Sequence, residues 1–243
     1  MPVGILGIVQ ARMGSSRLPG KVLRPLAGRS VLGWVVRAAA DAGVEDIVVA
    51  TTRAPEDDAV VEECRRLGVG WHRGPTDDVL SRFLGVLDEH PAEAVLRLNA
   101  DCPLLDPALI RTAAAVYGAV PGLHYLSTHV GRSLPLGMDV EIVDASVLRA
   151  IDATATAHHR SHVTSYVYAH PEIYRVMGLT LPPDASDLRV TLDTPQDWDL
   201  VSAVVAEFGD RPVPLRSLVT WLRLHPEVRD LNAGIHQKAL ELG

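Results

Sequence analysis

The residues best suited to chemistry lie near the start of the chain. The segment Ala11 to Lys21, ARMGSSRLPGK, sets Arg12, Arg17 and Lys21 among Gly14, Ser15, Ser16 and Gly20. Clustered cations attract an anion, and small residues between them let backbone amides approach its oxygens. A polyphosphate is the ligand that such a loop suits. It is not a GxxxxGK[ST] P-loop, because five residues separate Gly14 from Gly20 and Val22 stands where a metal-binding hydroxyl belongs. No GxGxxG dinucleotide fingerprint is present either. The competing reading is a solvated basic loop, and carboxylates elsewhere in the chain weigh against it.

Asp101 follows the apolar run Ala94 to Leu98, and Asp193 follows the run Leu188 to Leu192. Each is followed by a proline within two positions, which ends a strand in a turn. Carboxylates at two strand ends beside a phosphate loop match the oxygen ligands that Mg²⁺ requires. Alternatively each Asp caps the helix after it, a role for which Thr194 competes with Asp193.

In LPLGMDVEIV, the two-residue spacing puts Asp139 and Glu141 on one face of a strand. That face meets either substrate hydroxyls or solvent. In HHRSHVTSY, His158, His159, Arg160 and His162 cluster at the start of a helix, where dipole and cations both favour an anion. Arg160 and His162 are the candidate contacts to an acidic substrate group, with Arg132 behind them; a surface helix cap is the alternative. His158 and His162 also have a zinc-compatible spacing, but no Glu stands where a metalloprotease needs it.

These groups must be held by a fold, and the elements are legible. The chain has 243 residues, 47% hydrophobic and 22% charged, enough for a sizeable core. A net charge of -7 argues against nucleic acid as the partner, since phosphate neutralisation needs an excess of Lys and Arg. Cys64 and Cys102 lack the spacing of a zinc or dithiol site and read as reduced thiols of a cytoplasmic protein. The first apolar stretch is too short for a membrane span and lacks the marks of a leader.

Short β-rich runs alternate with amphipathic helices, which predicts an α/β fold with a mostly parallel sheet covered on both faces. Strands are expected at Gly4 to Gln10, Asp46 to Thr51, Val69 to His72 and Ala94 to Leu98. Helices are expected at Ser30 to Asp41, Pro55 to Leu67 and Asp77 to Glu89. The second half predicts strands at Leu123 to Ser127, Asp139 to Val143, Tyr174 to Gly178 and Leu188 to Leu192. Its helices are placed at Arg160 to Tyr168, Pro195 to Glu207 and Leu215 to Leu224. We expect one domain over 1–243: a nucleotide-binding half at 1–122, a substrate-side insert at 123–185 that also suits dimerisation, and a return to the core at 186–243.

Four segments in order carry a resemblance: QARMGSSRLPGKVL (Gln10 to Leu23), RGPTDDVLSRF (Arg73 to Phe83), RLNADCPLLDP (Arg97 to Pro107) and DLRVTLDTPQDWDLV (Asp187 to Val201). Together they resemble the cytidylyltransferases that make CMP-activated acidic sugars, and among them the SpsF-like proteins of surface polysaccharide genes. The resemblance covers most of the chain. It implies a Rossmann-like nucleotide-diphospho-sugar transferase fold, CTP as nucleotide, pyrophosphate release and a homodimer.

Carried to this sequence, it implies that Arg12, Arg17 and Lys21 hold the triphosphate, with Ala11, Gly14, Ser15 and Ser16 in the same loop. Ser81 and Arg82 would lie near the base. Asp101 and Asp193 would bind Mg²⁺, with Arg12, Lys21 and Asp101 serving catalysis and the Asp-Val-Glu segment meeting the acceptor. One departure is Asn99-Ala100, where relatives often carry Gly before the Asp; the added methyl narrows the approach to Asp101. A glycosyltransferase of related fold would need an Asp-x-Asp at this strand end, which is lacking, and a silent nucleotide sensor would have no use for both Asp101 and Asp193.

Overall fold

In the computed structural model, which describes residues 4–235, β1 (Ile5–Gln10) is buried along its middle and so lies at the sheet centre. A polar loop and a small antiparallel pair, β2 (Pro25–Leu26) with β3 (Arg29–Ser30), lead to α1 (Val31–Asp41). Ser30 caps α1 by accepting from the Gly33 amide at 2.9 Å. β4 (Ile47–Thr52), α2 (Asp58–Leu67), β5 (Gly70–Gly74), α3 (Val79–Glu89), β6 (Ala94–Asn99) and α4 (Pro107–Ala119) complete a regular alternation.

The second half contributes β7 (Tyr125–Ser127), β8 (Glu141–Asp144), α5 (Ala145–Ile151), α6 (Ala157–Ser161), α7 (Ser165–Ala169) and β9 (Val176–Gly178). Then follow α8 (Pro195–Phe208), α9 (Leu215–Leu224) and α10 (Pro226–Arg229). The seven-stranded sheet has the order β5-β4-β1-β6-β8-β7-β9, and β8 alone runs against its neighbours. Segment 123–185 therefore extends the same sheet.

Side chains alternate between two apolar layers. Val9, Leu96, Leu126 and Ile142 pack towards α1, α4, α8 and α9, while Leu6, Ile8, Val95 and Val143 pack towards α3, α5 and α7. The mostly parallel α/β architecture is as expected. Two expected elements differ, and α4, α5, α10 and the β2–β3 pair are not among the expected ones.

Leu188 to Leu192 is not a strand: it makes one bridge, between Leu136 and Arg189, and its remaining bonds go to single residues rather than along a partner. The expected helix at Arg160 to Tyr168 is broken into α6 and α7. Between them the chain dips inward, since Val163 is fully buried and Thr164 donates to the Glu141 carboxylate.

Glu141 is the reason for that dip, and it corrects the expectation of a substrate contact. Its carboxylate is buried, paired with Arg97, and accepts from the Tyr125 hydroxyl at 2.6 Å as well as from Thr164. Burial pushes its pKa up, but the Arg97 charge, aided by His129 and these hydroxyls, overrides burial and brings it down to about 2. A folded-state pKa below the ordinary 4.5 stabilises the protein above 4.5, and that contribution fades as pH falls from 4.5 towards 2. Glu141→Gln is therefore expected to melt at a lower temperature at neutral pH and to lose less than the wild type over that acid interval. Melting temperature against pH checks this; parallel acid limbs for the two proteins would refute it.

Candidate active site

The basic loop leaves the carboxyl end of β1 and is tied at its neck. The Gly20 amide donates to the Met13 carbonyl at 3.1 Å, and Gly20 takes a left-handed φ of 69° that a side chain would strain. The Met13 amide in turn donates to Asp57 Oδ1 at 2.6 Å, a buried carboxylate at the start of the second crossover. With its neck fixed, the loop forms one wall of a cleft of ≈ 550 Å³ at the carboxyl ends of β1 and β6. Arg12, Gly14, Ser15, Ser16, Arg17 and Lys21 line it, facing Asn99, Ala100, Asp101 and Asp193.

Lys21 joins these walls. Its Nζ donates to Asp101 Oδ2 at 2.7 Å and to Asp193 Oδ1 at 2.6 Å. Burial disfavours the ammonium, yet Asp101 and Asp193 outweigh it and hold the Lys21 pKa above its ordinary value. For Asp193, burial again works against the charge, but Lys21, Arg189 and Arg17 keep its carboxyl below the usual range. Arg17 stands 3.3 Å and Arg189 3.0 Å from Asp193 Oδ2. Neither aspartate caps a helix: Asp106 caps α4, and Thr194 forms a capping box with Asp197 at the start of α8.

The two aspartates meet because the extended segment before Asp193 is pinned. The Leu192 amide donates to the Asp101 carbonyl at 2.8 Å, and the Val190 amide donates to Leu136 at 2.7 Å. Gly137 allows that approach: its φ is 105°, and a Cβ there would lie 2.4 Å from the Thr191 nitrogen. Behind Asp193, Arg189 makes a fork on Asp197, whose Oδ1 also accepts from Asn232 Nδ2 at 2.7 Å.

Other expected site residues are placed elsewhere. Ala11 is buried in the core, and Ala100 also belongs to that cluster while contributing to the cleft wall. Arg82 is fully buried and donates to the Pro75 and Thr76 carbonyls, bracing their loop; burial first, then the nearby Arg12 charge, lowers its pKa to about 10. Ser81 is engaged by Asp78 at the start of α3.

Arg160 joins Asp78 at 2.7 Å and Asp152 at 3.0 Å, so it links α6 to α3. His162 closes α6 and is not among the cleft-lining residues. Asp139, partly exposed, accepts from Arg132 at 2.6 Å and from the Gly137 amide. Asp57, Arg189, Asp197 and Asn232 were not marked as site residues in the sequence; only the Thr194-x-x-Asp197 spacing signalled one of them.

Comparison with known proteins shows the family of the chain. The sequence profile described as "Cytidylyltransferase" matches residues 6–211. The chain belongs to the cytidylyltransferase family. Among its relatives, the spore coat polysaccharide biosynthesis protein SpsF of Bacillus subtilis is 34% identical over 233 residues, covering 92% of this chain and 95% of that protein. A 3-deoxy-manno-octulosonate cytidylyltransferase of Acidobacterium capsulatum is 31% identical over 201 residues, covering 74% and 78%. The solved structure of a cytidylyltransferase from Leptospira borgpetersenii superposes with a TM-score of 0.91 at 26% identity, covering 97% of this chain and all of that one.

In this cytidylyltransferase, Asp101 and Asp193 form an all-oxygen donor set flanking one ammonium, beside the basic loop. Such a pair fits a hard divalent cation that takes its other ligands from phosphate and water. Among the described residues no group of three or more His, Cys, Asp or Glu is placed to hold a metal. Lys21 is thus the internal counter-ion of the pair as well as a phosphate ligand candidate.

Replacing it therefore touches stability too. Lys21→Met should cost about 3 kcal/mol, as breaking a buried ion pair does, and Mg²⁺ should raise its melting temperature more than that of the wild type. Equal melting temperatures with and without Mg²⁺ in both proteins would count against the pair as a cation site.

Proposed function

We propose that this cytidylyltransferase transfers CMP from CTP to a small acidic acceptor, releasing pyrophosphate. The observation that carries this is the Lys21 ammonium held between Asp101 and Asp193 at the mouth of the basic loop. The arrangement sets cations for a triphosphate against carboxylates for a divalent metal within one cleft. Among the described residues Arg12 is exposed and has no ion-pair partner, so it is available to phosphate oxygens at once.

An ionised acceptor oxygen attacks the α-phosphorus, a new P–O bond forms, and the bond to the bridging oxygen breaks with its electrons leaving on pyrophosphate. Orientation and charge neutralisation supply most of the acceleration in such transfers. Mg²⁺ held by Asp101 and Asp193 would add charge stabilisation at the reacting phosphate. Arg12, Arg17 and Lys21 neutralise the departing pyrophosphate, and the small Gly14, Ser15 and Ser16 let backbone amides approach its oxygens. The name of one relative, a 3-deoxy-manno-octulosonate cytidylyltransferase, supports a sugar acid as acceptor.

The test is pyrophosphate release with Mg²⁺ and each of the four common nucleoside triphosphates, against sugar acids including 3-deoxy-manno-octulosonate, phosphonates, and sugar or polyol phosphates. Release dependent on CTP and on one acceptor is the expected result. Arg12→Ala should lower kcat/KM by about 100-fold, the scale of removing one charge-stabilising donor, without lowering the melting temperature. Triphosphate binding with no release for any acceptor would refute the transfer reaction.

A further inference from the structure

The buried ion pair of Arg97 and Glu141 does not end at Glu141. Arg97 pairs with Ile8 in the β1–β6 register and with Glu141 in the β6–β8 register. Gln10, two residues beyond Ile8, shares their sheet face. Across that face Arg97 Nη1 meets the Glu141 carboxylate, and Arg97 Nη2 donates to Gln10 Oε1 at 3.2 Å. A guanidinium only donates, so the amide of Gln10 must turn its oxygen to Arg97. Its NH₂ therefore points away from Arg97.

Gln10 lines the cleft, and among the described residues its Nε2 has no acceptor. We infer that Gln10 touches substrate, its NH₂ donating to a hydroxyl or carboxylate oxygen of the acceptor at the reacting end of the cleft. This rests on the transfer reaction proposed above. The placement follows from register: Gln10 lies opposite Asn99, and its carbonyl accepts from the Ala100 amide at 3.1 Å, one residue before Asp101.

The chain of bonds behind it runs to β8, Tyr125 of β7 and Thr164, on the α3–α7 face of the sheet. Lys21 and Asp193 are fixed from the opposite face, next to Val22 and Leu192. An oxygen reaching Gln10 thus meets it on the α3–α7 face of the sheet. Arg97 and Glu141 are positioning residues: they touch no substrate and fix which end of the Gln10 amide does.

The experiment compares Gln10→Glu and Gln10→Leu with the wild type, using CTP and the sugar acid or phosphonate that drives release in the acceptor panel. Gln10→Glu keeps an oxygen for Arg97, removes the donor and adds a charge that repels an acidic acceptor. It should raise the KM for acceptor by more than about 10-fold, the scale of a lost charge-assisted hydrogen bond, and leave the KM for CTP within about twofold. Gln10→Leu should give the same split with a smaller rise.

Glu141→Gln, which neutralises the chain behind the amide and keeps its shape, should raise the acceptor KM selectively too. An unchanged acceptor KM in both Gln10 variants, or a rise confined to CTP, would overturn the inference while the transfer reaction stands. Absence of release from the wild type with every acceptor removes both together.

Discussion

The ammonium of Lys21 ties together parts of the chain that are 80 and 172 residues apart. Asp101 ends a central strand, Asp193 ends a segment that is not a strand at all, and Lys21 begins a turn after a loop fixed by Gly20. None of these backbones pairs with the others over any length, so their mutual position depends on few contacts. The Leu192 amide and the Thr191 hydroxyl on the Asp101 carbonyl are two, the Gly20 amide on Met13 and Arg17 beside Asp193 are others, and the shared cation joins all three parts. Electrostatics does what hydrogen-bonded ladders do elsewhere in the sheet.

That arrangement needs support from both sides of the sheet, and each support is a buried polar chain. On one face Arg189, Asp197 and Asn232 hold Asp193 in place; on the other, Glu141 and Arg97 hold Gln10. Buried charges are costly unless paired and hydrogen-bonded. Here each carboxylate has a guanidinium and at least one neutral donor, which satisfies it; Arg97 then reaches Gln10 with its other nitrogen, and Asp197 accepts from the Asp193 amide. The two chains join the cleft at β1 and after the 188–192 segment, on either side of Lys21.

The first half of the fold was legible because its central strands β1, β4 and β6 are mostly apolar runs and its helices carry caps and glycine stops, as at Ser30, Asp78 and Gly68. The basic loop and the two aspartates were legible because cations among small residues, and carboxylates after apolar runs, leave a local trace. Leu188 to Leu192 misled because periodicity registers an extended apolar segment and is blind to whether a neighbour exists to pair with it.

The break between α6 and α7 was hidden for a related reason: it is forced by Glu141, far away in sequence. α4 left a signal that went unread, a capping Asp106 followed by Pro107. Glu141 and Asp139 share a spacing but not a fate, since Glu141 is enclosed by Arg97, Tyr125 and Thr164 whereas Asp139 keeps partial exposure. Asn232 left no trace at all, because its role exists only once the last turn has docked.

That docking has a consequence for the order in which the molecule is made. Synthesis delivers Lys21 and Asp101 long before Asp193, and Asn232 is among the last of the described residues to emerge. Until it reaches Asp197, the fork of Arg189 on Asp197 lacks its third partner and Asp193 lacks its full support. The β1–β6 side of the cleft is therefore made before the residues that brace its second carboxylate. The support behind Asp193 is thus completed from the far end of the described residues, because the Asn232 donor reaches Asp197 only after everything before it has been made.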